Sequence, residues 1–276
     1  MMRKWLPLVI LGVIVTAAAI WLLTKRGKPE EAAKALPTPT AAAATIAPET
    51  AEYKFAVMAD IHDDKNNLEK LLEIAKERGD QMVIAAGDLT NGGKLNELLE
   101  IKSVLDKSKI KYYAVPGNHD WWESNKKGRN YFEEIFGKDY QSIKAAGFKF
   151  ILADNGNPKG MDAVETAWLF NETEECKTIK CIAIMHMPLN NAFSVHIMGE
   201  NNVRVTAQAK QILKMLTDNK VKELTAGHLH YSSSYELDGL ETILVGAVTE
   251  ARNTQTPRFT EFKISGNNIE SEVVTE

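Results

Sequence analysis

Acidic, amide and imidazole side chains recur along this chain in a set of short motifs. The motifs are Asp60-Ile61-His62, Gly87-Asp88, Gly117-Asn118-His119-Asp120, His186 and Gly227-His228-Leu229-His230. Imidazole nitrogens suit iron, zinc and manganese, oxygen donors suit harder cations, and a carboxylate can bridge two ions. Two such ions about 3.5–4 Å apart activate a water and clamp a phosphate group. The residue types therefore predict a two-metal site for hydrolysis.

Each motif directly follows a short apolar segment. These segments are residues 55–59, 82–86, 112–115, 181–185 and 224–226. Their length and composition are typical of buried strands. Ligands of α/β proteins bind at the carboxyl ends of strands, so we expect the five motifs to meet at one place. Further strands are predicted at 150–153, 242–245, 258–264 and 269–274.

Five of the six histidines fall in these motifs, and only His196 does not. A single histidine is more often a hydrogen-bonded core residue than a ligand, but five at strand ends favour a convergent site. The D-x-H and H-x-H spacings are expected to place both side chains of a pair on one side of an extended segment. Glycines at 87, 117 and 227 permit tight turns directly before the ligands.

Amphipathic helices alternate with the predicted strands. Apolar residues with helical spacing are Leu68, Leu71, Leu72 and Ala75, then Leu95, Leu98, Ile101 and Leu105, and later Ala209, Ile212, Leu213 and Leu216. We interpret all of them as core-facing residues. The alternation predicts one α/β domain of about 220 residues.

The motifs, in this order and spacing, resemble those of the calcineurin-like metallophosphoesterase family. The resemblance covers roughly residues 53–249 and includes Trp168-Leu169 and Met187-Pro188. It implies a four-layer αββα sandwich of two mixed sheets. It also implies hydrolysis of a phosphate mono- or diester by a metal-bridging hydroxide.

The resemblance further implies a ligand set. One metal would be held by Asp60, His62, Asp88 and His230, and the other by Asp88, Asn118, His186 and His228. Asp88 would bridge the two ions, for which manganese, iron and zinc are candidates. His119 would not be a ligand but would assist at the leaving group of a phosphate-ester substrate.

Some family branches fit poorly. The phosphoprotein-phosphatase branch has D-R-G after its G-D, whereas this chain reads Leu89-Thr90-Asn91, and Asp120 replaces that branch's glutamate. The purple acid phosphatase branch lacks a histidine at the place of His62. An alternative function is a non-catalytic, membrane-tethered binding module, but such a module should have lost a ligand or His119, and none is missing.

The amino-terminal residues differ from the rest. Residues 5–24 are 20 positions without a charge, between short basic segments, which is enough for a helix to span a bilayer. We predict a single-pass anchor at 1–28, a Pro/Ala/Thr-rich linker at 29–52, and a catalytic domain at 53–276 outside the cytoplasm. The alternative for 1–28 is a cleaved signal peptide. The net charge of −4 argues against nucleic-acid binding.

Other residues have two interpretations. Asp120 either orients His119 or is a solvated turn residue, and Trp121 and Trp122 either line the substrate site or pack against the domain. Arg129, Arg252 and His196 are expected at the surface, although either arginine could bind a second phosphate. Cys176 and Cys181 could form a small-loop disulfide in an oxidising compartment, but free thiols are favoured because a short loop strains disulfide geometry.

Overall fold

Short apolar segments form two mixed β-sheets in the computed structural model, which describes residues 52–276. The first sheet has the order β11-β10-β1-β2-β3, and β1, β2 and β3 are parallel. Its strands are β1 (Tyr53–Met58), β2 (Met82–Ala86), β3 (Tyr112–Val115), β10 (Arg258–Ser265) and β11 (Asn268–Thr275). The antiparallel pair β10–β11 is the predicted carboxyl-terminal hairpin, and β10 pairs with β1.

The second sheet has the order β4-β5-β6-β7-β9-β8. Its strands are β4 (Gln141–Ala145), β5 (Phe148–Leu152), β6 (Lys180–Ile184), β7 (Glu223–Ala226), β8 (Ser232–Leu237) and β9 (Leu240–Val245). Strands β5, β6, β7 and β9 are parallel, and the edge strands β4 and β8 are antiparallel to their neighbours. The expected pair of mixed sheets is thus confirmed.

Strand alternation explains why β1 is buried on both sides. Phe55 and Val57 belong to the core between the two sheets, whereas Ala56 and Met58 belong to the core beneath the helices. The Phe55 ring stacks on Phe262 at a centroid distance of 4.9 Å and meets Phe150 of the second sheet edge-on at 5.0 Å. Aromatic contacts therefore help to hold the two sheets together.

Helices cover the outer face of each sheet. The helices are α1 (Lys65–Arg78), α2 (Leu95–Ser108), α3 (Trp121–Lys127), α4 (Tyr131–Phe136), α5 (Ala163–Glu174) and α6 (Val203–Asp218). Helices α1 and α2 pack on the first sheet through their predicted apolar stripes, and α5 and α6 pack on the second. Leu95 is the exception in these stripes, because it lies exposed at the start of α2.

The expectation of free thiols is wrong. Cys176 and Cys181 form a disulfide, with their Cα atoms 5.4 Å apart. A single 3₁₀ turn (Glu175–Lys177) reverses the chain between α5 and β6, which places both residues in the helix-facing core of the second sheet. The short loop is compatible with a bridge because the turn, rather than an extended link, connects the two positions.

The predicted anchor and most of the linker lie outside the described residues. Among residues 52–276, no helix combines the length and apolar character needed to cross a membrane. Strand β1 begins at Tyr53.

Candidate metal centre

Loops that follow the carboxyl ends of strands in both sheets converge on one buried group of side chains. All seven predicted ligands and His119 lie in it. The expectation of extended D-x-H and H-x-H segments is wrong, however. Asp60 and His62 have φ of 53° and 49°, and His228 and His230 have φ of 70° and 56°. Left-handed backbone is rare outside glycine and tends to cluster at functional sites, and here turns rather than strand alternation aim both side chains of each pair inward.

The first set of donors lies around His230. Its Nε2 atom is 3.6 Å from Asp60 Oδ1 and 3.2 Å from His62 Nε2. His62 Nε2 lies in turn 3.6 Å from Asp88 Oδ2. Four side chains from three loops thus direct donor atoms at one small volume.

The second set lies around His186. Its Nε2 atom is 3.3 Å from Asp88 Oδ2, 3.2 Å from His228 Nδ1 and 3.2 Å from Asn118 Oδ1. The same Asp88 oxygen therefore faces both sets of donors. This placement is what a bridging carboxylate needs.

The donor chemistry and spacing fit two cations. At metal–ligand distances near 2.1 Å, neighbouring ligand atoms lie roughly 3 Å apart, close to the separations seen here. Two imidazole nitrogen pairs, His62 with His230 and His186 with His228, face each other at 3.2 Å. The first set would hold one ion and the second set the other. The assignment of individual ligands stays a prediction.

Burial and mutual charge control the protonation of this group. Burial lowers the pKa of His62 and of His228 to about 3, and it raises the pKa of Asp60 to about 8. Burial would also lower the pKa of His186, but the attraction of Asp88 prevails and raises it to about 9. The same attraction holds the pKa of Asp88 below its usual range despite burial. His62, His228 and His230 thus present lone pairs, whereas a cation must displace the protons of His186 and Asp60.

Backbone carbonyls fix the orientation of two key imidazoles. His186 Nδ1 donates to the carbonyl oxygen of Ala86 at 3.0 Å, which leaves its Nε2 for the metal centre. His119 Nδ1 donates to the carbonyl oxygen of Asn91 at 2.9 Å, which likewise leaves its Nε2 unoccupied. Sequence reasoning missed both acceptors, because a backbone carbonyl has no residue-type signature.

His119 lies beside the first set of donors. A ring nitrogen of His119 and ligand atoms of His62 and Asp88 all lie within 4.8 Å of one another. Its backbone N–H donates to Asp88 Oδ1 at 2.8 Å, so Asp88 uses its two oxygens for different purposes. The His119 ring is thus near enough to assist chemistry at the centre.

Asp120 matches neither of its two interpretations. It is 1% exposed and accepts hydrogen bonds from the backbone N–H groups of Leu89, Thr90 and Gly117 and from the Thr90 hydroxyl. It therefore ties the loop after β2, which carries Asp88, to the loop after β3. A Cβ atom on Gly117 would lie 2.2 Å from the backbone N and from Oδ1 of Asp88, so only glycine permits this approach.

Each of the two interpretations applies to one tryptophan. Trp121 packs into the domain, and its Nε1 donates to Asp154 Oδ2 at 2.8 Å. Trp122 is 46% exposed and lies against His119, with ring centroids 3.9 Å apart and a tilt of 31°. Trp122 is thus a rim residue.

The remaining surface predictions have different outcomes. Arg129 forms an ion pair with Glu134 at 2.7 Å on the surface. His196 pairs with Glu200 at 2.9 Å and, like Arg252, lines the cavity above the metal centre. Arg252 has no acidic partner within ion-pair distance among residues 52–276.

Comparisons with known proteins agree with this geometry. Residues 53–232 match the family model described as calcineurin-like phosphoesterase. No curated protein sequence matches the chain. A dimetal phosphatase from Danio rerio is similar in structure, with a TM-score of 0.60, 14% identity, and coverage of 81% of this chain and 98% of that one.

Two further solved structures share the fold. Purple acid phosphatase PPD1 from yellow lupin (Lupinus luteus) has a TM-score of 0.62 and 13% identity, over 82% of this chain and 52% of the lupin protein. GAP50, described as the anchor in the inner membrane complex of Plasmodium, has a TM-score of 0.58 and 17% identity, over 81% and 84% of the two chains. At these identities the similarity shows the fold alone.

Proposed function

The chain belongs to the calcineurin-like phosphoesterase family, and we propose that it hydrolyses a phosphate mono- or diester at a dinuclear metal centre held by the seven predicted ligands. The observation that carries this proposal is the position of Asp88 Oδ2, 3.6 Å from His62 and 3.3 Å from His186. One carboxylate oxygen thus serves both sets of donors. The bound ions, for which manganese, iron and zinc are candidates, would supply Lewis acidity and an activated water.

The protein's own residues then have separate roles. The donor loops hold the phosphate site in a buried, preorganised place, where electrostatic stabilisation is strongest. His119, in its imidazolium form and fixed through its Nδ1–H by the Asn91 carbonyl, presents Nε2–H to the leaving oxygen, donates that proton there and is left as the neutral imidazole. The non-catalytic module is the weaker hypothesis, because the whole donor set and His119 are present.

Metal analysis combined with two chromogenic substrates tests this function. The full-length chain is stripped with a chelator and reloaded separately with manganese, iron or zinc. We expect about two ions per chain and hydrolysis of p-nitrophenyl phosphate or bis(p-nitrophenyl) phosphate that depends on reloading. Two bound ions without hydrolysis of either ester would favour the binding module.

We further propose that residues 1–28 anchor the domain on the outer side of the cell membrane. The disulfide between Cys176 and Cys181 supports this, since such bonds persist in oxidising compartments and are rare in the cytosol. A protease added to intact cells or spheroplasts should digest the domain of the full-length chain. Protection of the domain until the membrane is lysed would place it on the cytoplasmic side.

A further inference from the structure

Two cavities adjoin the candidate metal centre and differ in their lining. The larger, of about 980 Å³, is lined by Asp88, His119, His228 and His230, so a phosphate group at the centre would lie on its floor. The smaller, of about 380 Å³, lies along Trp122 and is lined by Asn118 and His228 of the centre itself. His228 and Glu200 line both cavities. A substrate bound at the metal centre can therefore extend from the larger cavity into the smaller one.

We propose that the smaller cavity binds the leaving alcohol of the substrate, and that this alcohol carries an uncharged ring with hydrogen-bonding groups, as a nucleoside or a sugar does. This inference rests on the proposed phosphoesterase function and names its substrate class. Trp122 covers one face of His119 at 3.9 Å between ring centroids. His119 lines the larger cavity and Trp122 lines the smaller one, so an alcohol whose oxygen lies at His119 can continue past the contact between the two rings, along Trp122, into the smaller cavity.

The charges of the lining exclude a second phosphate from the smaller cavity. Within the described part of the chain, no lysine or arginine lines it, and its one acidic residue is Glu200. Arg252 lines the larger cavity instead. An anionic leaving group would be desolvated there without a cationic partner and beside a carboxylate, which is unfavourable. A neutral group with hydroxyl or N–H donors meets an acceptor in the Glu200 carboxylate, whose Oε2 also pairs with His196 Nδ1 at 2.9 Å.

The rest of the lining suits a ring. Trp122 offers a half-exposed indole face, and the side chains of Met187 and Met198 supply polarizable apolar surface. Asn157 Nδ2 and the whole side-chain amide of Asn201 make no hydrogen bond among residues 52–276. These amides are therefore available to the polar groups of a ring.

Asn155 differs from these two asparagines, because its side-chain amide is already hydrogen-bonded to the protein. It also lines the smaller cavity, but its Oδ1 accepts from the Met187 N–H at 2.9 Å and its Nδ2 donates to the Met187 carbonyl at 2.6 Å. Asn155 thus has a structural role, whereas Asn157 and Asn201 are left for a ligand. The specificity-determining residues are Trp122, Asn157, Asn201 and Glu200.

Four phosphomonoesters with different leaving alcohols and one phosphoanhydride, whose leaving group is itself a phosphate, test the inference. The manganese-loaded, full-length chain is assayed with adenosine 5′-monophosphate, glucose 6-phosphate, glycerol 3-phosphate, phosphoserine and inorganic pyrophosphate. We expect kcat/KM for the nucleotide or the sugar phosphate to exceed that for the other three at least about tenfold, from one stacked ring and one or two hydrogen bonds. The first two substrates distinguish a nucleoside from a sugar.

Variants assign that preference to the cavity. Replacing Asn157→Ala together with Asn201→Ala should lower the ring preference about tenfold, and Trp122→Leu should also lower it. Asn268→Ala, an exposed asparagine at the start of β11, is the matched control and should leave the preference unchanged.

Saturation-transfer NMR with adenosine and with methyl glucoside gives a readout that needs no hydrolysis. We expect contact with one of them, lost in Trp122→Leu. Hydrolysis of chromogenic esters without ring binding or preference overturns this inference and leaves the proposed function standing. A preference for pyrophosphate or phosphoserine overturns it as well. Ring binding without hydrolysis of any ester contradicts the phosphoesterase function but not the ring-binding cavity.

Discussion

The two sheets contribute different chemistry to the candidate metal centre. Loops of the first sheet supply both carboxylates, Asp60 and Asp88, together with the amide of Asn118, one predicted imidazole ligand, His62, and the non-ligand imidazole of His119. Loops of the second sheet supply only imidazoles, from His186, His228 and His230. Neither half could hold two cations alone, because one lacks bridging oxygen donors and the other lacks enough ligands.

The contrast shows that the centre depends on the packing of the sheets. Asp88 follows β2 of the first sheet, yet its Oδ2 lies closer to His186 of the second sheet, at 3.3 Å, than to His62 of its own, at 3.6 Å. His186 makes a second contact between the sheets, because its Nδ1 donates to the Ala86 carbonyl at the end of β2. The seven predicted ligands therefore come together only when the interface between the sheets is formed.

The largest effect is expected from Asp88, which joins the two halves. Asp88→Asn should lower kcat/KM at least about 10³-fold, because the bridging charge supplies several kcal/mol of stabilisation. Bound metal should fall below two ions per chain by elemental analysis. Asp218→Asn, at the exposed end of α6, is the matched control. Normal activity with full metal content in Asp88→Asn would remove the two-metal assignment.

His119 and His186 test whether the halves have separable roles. His119→Ala should lower kcat by about 10²–10⁴-fold while both ions are retained, since a proton donor rather than a ligand is lost. The loss should be smaller for a nitrophenolate leaving group than for an alkoxide.

His186→Ala should instead lose metal, and excess metal in the assay should restore part of the rate. Equal metal loss in the two variants would make His119 a ligand. An equal rate loss for good and poor leaving groups would make it a stabiliser of phosphate charge.

Phe55 tests the contact between the sheets. Phe55→Ala should lower the free energy of unfolding by about 3–5 kcal/mol, because it leaves a cavity between Phe150 and Phe262. Phe193→Ala, at a position 95% exposed, should change it by less than about 0.5 kcal/mol. Urea denaturation measures both. Similar values for the two variants would mean that the inter-sheet core contributes little.

The smallest effect is a change in stability, expected at a buried carboxyl of the second sheet that lies at the opposite end of β7 from the candidate metal centre. Glu223 begins β7, is 4% exposed, and has its pKa raised by burial to about 7. This pKa exceeds the unfolded value of 4.5. The contribution of the protonated Glu223 carboxyl to the free energy of unfolding is therefore fully present below about pH 4.5 and is lost as the pH rises through 7.

Glu223→Gln keeps the acceptor for the Thr225 hydroxyl and removes the buried charge. It should therefore stabilise the protein by up to about 3 kcal/mol at pH 8 and leave it nearly unchanged at pH 4. Thermal unfolding at both pH values measures this, with the exposed Glu236→Gln in β8 as the control. A gain at pH 4 equal to that at pH 8 would rule out charge as the cause.

The sequence by itself determined the central strands and the helical stripes, and it named the candidate donor residues that the fold brings together. These features are local: a residue type defines its own chemistry, and the period of apolar residues defines the buried faces of a helix or strand. Strands β4 and β8 were not predicted. They are edge strands of mixed burial, such as Gln141–Ala145, so their alternation of apolar and polar residues is weak.

Only the tertiary structure decided how these pieces act together. It set the left-handed turns at Asp60 and His228, the use of Asp88 by both sheets, and the pairing of Cys176 with Cys181. It also gave Asp120 its buried acceptor role. Each depends on backbone atoms or on residues distant in sequence, and such contacts exist only after the two sheets have packed.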